Sequence, residues 1–248
     1  MLTTTPKFFI QLWSEFSRND ALRHWAGAVP ILPTPPPPET DDPGSVFSII
    51  TERYRTLCTR AEEMIVQLVC GEVENGLRAH LNSQSTSATP ADLLDMAVSQ
   101  TLLVPITALS THLGALRGVV PRTIMTTLYR RIAKRIADFV FHQQIMYRGS
   151  FSLFEGRVIF SEVELWVETC CAAAEAALGG GRQRVQAPWT KTLQAARLVS
   201  LDGEEWQKVK DLTFGAQGDA QWEDGLADLL GSPELARDDV GTLLRRRQ

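Results

Sequence analysis

The chain has 248 residues, 44% hydrophobic and 22% charged, with a net charge of −4 and a pI near 5.6. That is the balance of a folded soluble chain with enough length to bury a sizeable core. It gives no global reason to expect nucleic acid or an anionic membrane as the main partner. The charge is uneven: Leu201–Gln248 holds 11 acidic and 6 basic residues, an acidic tail with a basic tip at Arg245, Arg246 and Arg247.

In chain order, the signals are helical. Pro6 suits the first turn of a helix whose apolar face is Phe9, Leu12, Trp13 and Phe16, extended by Leu22 and Trp25. Gly27 and Pro30 end it. Pro30–Gly44 holds seven prolines and reads as a stiff spacer or surface loop, with a PxxP ligand as the other reading. A second helix spans about Ser45–His80, with Phe47, Ile50, Tyr54, Leu57, Ala61, Met64, Leu68 and Val69 as its apolar stripe; Gly71 and Gly76 weaken its second half. Ser83–Thr89 is a polar loop. Thr89 and Pro90 then start a third helix, which reaches about Arg117 and is kinked by Pro105.

Met96–Leu116 is a run of 21 uncharged residues, long enough to cross a bilayer. Leu102, Ile106, Leu109, Leu113 and Leu116 form one stripe, however, while Gln100, Thr107 and Thr111 fall on the other side. The run therefore reads as an amphipathic soluble helix. The first residues, Met1–Trp13, lack the layout of a signal peptide.

Pro121 opens a fourth helix to about Tyr147, with Ile124, Leu128, Ile132, Ile136, Phe139 and Val140 as core. Arg130, Arg131, Lys134 and Arg135 crowd its other sides. They read either as a docking patch for an acidic partner or lipid headgroups, or as a solvated face. Gly149–Gly156 breaks the pattern. A fifth helix runs to about Leu178, carrying Val158, Ile159, Val163, Trp166, Val167 and Cys170, and stops at Gly179–Gly181. Shorter helices come next at 189–200, 204–214, 219–230 and 233–247, the last opened by Ser232-Pro233-Glu234. Strand signals are nearly absent.

The chemistry-bearing patterns are missing. Cys58 and Cys70, twelve residues apart, would stand about 18 Å apart on one helix, too far for a disulfide. Cys170 and Cys171 point to different sides. With no zinc spacing, the four cysteines read as reduced, mostly buried thiols. Gly179–Gly181 lacks the Gly-Lys-Ser/Thr of a phosphate loop, and neither HExxH nor GxSxG occurs. His24, His80, His112 and His142 sit on separate helices without a second ligand nearby. Glu62-Glu63 and Glu204-Glu205 are neighbours on helices rather than an acid/base pair. No cofactor, metal site or nucleic-acid module is expected.

The order of these signals resembles the C-terminal part of the TIP/RINT family of tethering subunits. Pro6-Lys7-Phe8-Phe9-Ile10-Gln11-Leu12-Trp13 is similar to the family's FF-x-x-LW helix. The resemblance continues through Val46–Leu81, including Tyr54 and Ile65, and through Leu93–Leu116. Its most specific part is Arg122–Tyr147 followed by Phe151-Ser152, Gly156 and the acidic Glu162. Leu198, Trp222–Leu230 and Val240–Arg247 resemble the family's ending. Arg157 and Val158 depart from the family's small residue and Gln, Glu162 replaces its Asp, and Pro30–Gly44 is an insert.

The resemblance implies an all-α fold of stacked antiparallel helical bundles forming a rod. Residues 1–29 would begin a first bundle, 30–44 would be a linker, 45–85 the long helix of that bundle, and 90–248 a C-terminal bundle. Family members are much longer, so a missing N-terminal half is expected. The implied function is that of a non-enzymatic subunit that docks Golgi-derived, COPI-type vesicles at the ER. It would bind ER SNAREs and other tether subunits, be cytoplasmic and peripheral on the ER membrane, and have no cofactor. The candidate contacts are Arg130, Arg131, Lys134, Arg135 and Phe151, the last either at a partner site or as a core plug. Other readings are an unrelated helical adaptor, a lipid-binding helical bundle, or a helical enzyme with a scattered site.

Overall fold

The structure, a computed structural model, describes residues 48–86, 100–215, 218–231 and 233–247. The expected helix at Pro6–Gly27, the proline-rich stretch and the Pro90 helix start lie outside these residues. Among the described residues the protein is all-α. Helix α1 is Ser48–Thr86, α2 Gln100–Val119 and α3 Arg122–Val140, continued by a π-helical turn at Phe141–Met146. Then come α4 (Leu153–Leu178), α5 (Gly181–Gln186), a 3-10 turn at Ala187–Trp189, and α6 (Thr190–Ser200). Helices α7 (Gly203–Phe214), α8 (Asp219–Leu230) and α9 (Arg237–Arg246) complete the chain. It divides into two compact units. One is Met1–Gln67 with Val119–Pro121; the other is Leu68–Gly118 with Arg122–Gln248.

In the first unit, the described part of α1 departs from expectation. Much of the stripe read as core faces solvent: Ile50, Leu57 and Met64 are 41%, 58% and 62% exposed, while Tyr54 and Ala61 are half-buried. The buried positions are Thr51, Cys58 and Val66, on the adjoining side of the helix. Consecutive residues stand about 100° apart on a helix. Two neighbouring apolar lines therefore share similar spacing, and packing rather than period selects the buried one.

In the second unit, the rest of α1 buries Val69, Cys70, Val73, Leu77 and His80, while Leu68 is exposed. Helix α2 lies along this stretch. A Cβ on Gly76 would sit 3.0 Å from Pro105 Cβ, so the glycine that weakens the helix allows the close approach. The helix is unbroken through Pro105, which is itself buried with Leu102, Ile106, Leu109 and Leu113. By length and composition α2 is apolar enough to cross a bilayer, yet it meets α1 through Thr101, Pro105 and His112.

Helix α3 buries Ile124, Leu128, Ile132, Ile136 and Val140 as read from the sequence. It does not continue as α-helix to Tyr147. After Val140 the turn widens, the Tyr147 amide donating to the His142 carbonyl at 2.7 Å, and Phe141, Gln144 and Ile145 point inward. A π-turn carries an extra residue and shifts the facing of the residues after it.

Part of the break read at Gly149–Gly156 is a helix start. The Ser152 hydroxyl accepts from the Glu155 amide at 3.3 Å. The Glu155 carboxylate accepts from the Ser152 amide at 2.8 Å. This is a capping box. Gly156 lies against α6, where its ideal Cβ would be 2.1 Å from the Val199 carbonyl oxygen. Further along α4, Trp166 stacks on Trp189 of the 3-10 turn with centroids 6.1 Å apart, both fully buried. Helix α4 ends at Gly179–Gly181, all at positive φ, a conformation that glycine adopts without steric cost. The Leu178 carbonyl at this end accepts from Arg122 at 3.2 Å and Arg184 at 3.0 Å.

The last helix starts at Arg237, not at Pro233 as expected. The Glu234 amide is bound by the Gln194 side chain at 2.8 Å, and Ala236 takes the N-cap position. The chain end returns to the head of α4. The Phe151 amide donates to the Arg246 carbonyl at 3.1 Å, and the Arg247 guanidinium lies 4.0 Å over the Trp206 ring.

Candidate interaction surface

The amphipathic pattern of α3 puts its apolar line inside and its basic residues outside, but it does not make those residues equivalent. Arg130 and Lys134 are exposed and Arg131 is half-buried. Lys134 pairs with Asp138 one turn on, at 3.4 Å; an exposed pair of this kind contributes only a few tenths of a kcal/mol, ~0.3–0.5. Arg135 points the other way, its Nε donating to Glu74 of α1 at 2.7 Å. Arg78 reaches the same carboxylate at 3.4 Å and lies over the Phe139 ring at 5.2 Å. Glu74 is buried, so its charge needs these two partners. Arg135 therefore ties α3 to α1, while Arg130, Arg131 and Lys134 form the outward basic face.

Phe151 does not join that face. It is 2% exposed and sits in the isolated bridge with Arg247. Its side chain plugs the interior below the capping box. At the box, burial works against ionisation of Glu155. The Ser152 amide and hydroxyl and the Arg148 guanidinium outweigh it and hold the carboxyl below its usual range.

A second surface feature is a shallow groove of about 530 Å³, lined by Glu72 of α1 and by Leu103, Val104, Thr107, Ala108, Thr111 and His112 of α2. It is mostly apolar. Its polar edge is the Glu72 carboxylate against His112 Nε2 at 2.7 Å.

Among the described residues, a polar cluster is built around the buried Glu162. His80 Nδ1 is 2.7 Å from the Thr101 hydroxyl, and His80 Nε2 is 3.6 Å from Glu162. The Gln144 amide donates to the other Glu162 oxygen. Glu162 of α4 is thus met by α1 and the π-turn, and His80 carries the chain of contacts on to Thr101 of α2. His80, Gln144 and Glu162 are buried, while Thr101 at the end of the cluster is exposed. Burial pushes the Cys170 thiol up to about 12 and raises Cys171, so neither is an activated nucleophile. Burial likewise raises Tyr129, whose hydroxyl donates to the Val185 carbonyl at 2.7 Å. Among the described residues, no three His, Cys, Asp or Glu side chains are placed to hold a metal.

The geometry offers surface: a basic helix face, an apolar groove and an exposed apolar stripe. Sequence reading located the basic face but not Glu74, which removes Arg135 from it. Nothing in the sequence pairs residues 61 apart, so that contact had no signal. The Ser152–Glu155 box did have one, the Ser-x-x-Glu spacing.

The RINT-1/TIP-1 family model matches residues 4–155 of the chain. The matched stretch includes α1, α2, α3, the π-turn and the capping box. The resemblance read over 156–248 lies beyond it. No curated protein and no solved structure matches.

Proposed function

The chain belongs to the RINT-1/TIP-1 family, and on that premise we propose that it is a non-enzymatic subunit of a tethering complex for Golgi-to-ER retrograde transport. It acts by binding ER SNAREs and fellow subunits at COPI-type vesicle docking sites, peripherally on the ER membrane. The observation that carries the reading is the family match over 4–155, which covers the helices bearing the exposed basic and apolar faces. The chemistry of these faces supports it. Lateral helix surfaces dock partner helices by apolar anchors and complementary charge. Arg130, Arg131 and Lys134 are the residues assigned to an acidic partner surface. Arg135 and Phe151 hold the bundle that presents it.

Affinity purification of the tagged chain from its own cells, with mass spectrometry of the recovered proteins, tests this. Recovery of ER SNAREs together with other tether subunits is expected. A folded chain that recovers none of them would contradict the reading.

A second reading assigns the same basic face to anionic lipid headgroups. Vesicles containing phosphatidylserine would then retain the chain at low salt and release it at high salt. Replacing Arg130, Arg131 and Lys134 with Glu would abolish that retention.

A further inference from the structure

In the first unit, Ile50, Tyr54, Leu57, Ala61 and Met64 succeed one another at steps of four, three, four and three residues. A mean step of about 3.5 is the seam of a left-handed coiled coil. Ile50, Leu57 and Met64 are exposed, and Tyr54 and Ala61 between them are half-buried. Single exposed apolar residues are ordinary on a protein surface, but three in line at heptad spacing mark an interaction site. One border of this seam is closed, because Thr51 and Cys58 beside it are buried. The other border is Arg53 and Arg60, seven residues apart and both exposed. Neither makes an ion pair with a described residue. Glu52, Glu62 and Glu63 lie further round the helix, off the seam.

We propose that the Ile50–Met64 seam of α1 receives an α-helix of another polypeptide, one whose own heptad apolar residues are flanked by Asp or Glu facing Arg53 and Arg60. The heptad spacing selects a helix, since only a helix repeats side chains at that interval. The open basic border selects acidic flanks. The same border disfavours a second copy of this chain, because antiparallel pairing of α1 with itself sets arginine against arginine. The inference rests on the proposed function, that the chain acts by binding partner subunits, and it names the surface and the partner's chemistry.

The probe is a synthetic helix of about three heptads with Leu at both seam positions and Glu on the flanks. Its twin carries Lys on the flanks. Both are labelled and titrated with the full chain by fluorescence anisotropy. The Glu helix is expected to bind at least about tenfold more tightly than the Lys helix. The double substitution Leu57→Glu and Met64→Glu should remove binding without changing helicity by circular dichroism, since both side chains are exposed. Arg53→Glu with Arg60→Glu should reverse the preference. Equal binding of the two helices, or binding unchanged by the Leu57/Met64 variant, overturns the proposal. So does a dimer in sedimentation velocity that the same variant dissolves, which would give the seam to a second copy. Protection of Met64→Cys from maleimide in the monomeric chain would also overturn it, by showing that the chain covers its own seam. Failure of the peptide titration with tether subunits still co-purifying refutes the seam alone. Peptide binding without those subunits refutes the family-based function alone.

Discussion

Gly156 and Val199 meet backbone to backbone. An ideal Cβ on Gly156 would stand 2.1 Å from the Val199 carbonyl oxygen, so the first turn of α4 and the last turn of α6 touch with no room for a side chain. Overpacking of this kind costs about 1–3 kcal/mol. Gly156→Ala should therefore lower the thermal midpoint by several degrees, roughly 2–4 °C per kcal/mol for a unit of this size. Gly149→Ala is the control, since nothing lies within 4 Å of its position, and it should leave the midpoint nearly unchanged. Differential scanning calorimetry of both variants decides the point.

The capping box predicts a pH dependence. Ser152→Ala should destabilise the fold by about 1 kcal/mol at neutral pH, the usual worth of an N-cap. Glu155 has its folded pKa lowered by the cap and Arg148 against the opposing effect of burial. A carboxyl with a depressed folded pKa adds stability above its unfolded pKa and loses it as pH falls through the folded value. Glu155→Gln should thus be less stable than the parent at about pH 7. The gap should close as the pH is taken below the ordinary carboxylate range. Urea midpoints at neutral and acid pH measure this directly.

Arg135 and Arg130 should separate. Arg135→Ala leaves the buried Glu74 with Arg78 alone and should cost about 1–2 kcal/mol, reduced from the value of a sealed pair because Arg135 is itself partly exposed. Arg130→Ala should stay within about 0.5 kcal/mol, as surface substitutions do. On the binding side the order should invert, with Arg130→Glu weakening capture of acidic partners. Denaturant unfolding and pulldown on the same two variants test both halves.

The thiols should be silent in the native state. All four cysteines are buried and outside any disulfide, and the Cys170 thiol is pushed up to about 12 by burial. Iodoacetamide near neutral pH is expected to modify none of them in the folded chain and all four in denaturant, counted by intact mass. Rapid modification of Cys170 in the native protein would contradict its complete burial.

These cases show where sequence reasoning reaches. Periodicity located the core lines of α2, α3 and α4 because each helix carries one dominant apolar face. On α1 it joined Ile50, Leu57, Met64 and Leu68, which are exposed, to Val69, which is buried, because the helix carries adjoining apolar lines that only tertiary packing distinguishes. It missed the π-turn at Phe141–Met146, from which Gln144 reaches Glu162 on another helix, a contact no local signal encodes. It placed the start of α9 four residues early, because a Ser-Pro-Glu signal is overridden when Gln194 captures the Glu234 amide. Of the candidate surface, the basic character of Arg130, Arg131 and Lys134 is written in the sequence. The diversion of Arg135 to Glu74 and the burial of Phe151 are products of the fold.

Depletion of the protein from its own cells, while following a cargo normally retrieved from the Golgi to the ER, tests the central claim most directly. A role in retrograde tethering predicts that the cargo escapes to later compartments while COPI-type vesicles accumulate near the ER, and that re-expression restores retrieval. Normal retrieval in fully depleted cells would contradict that role.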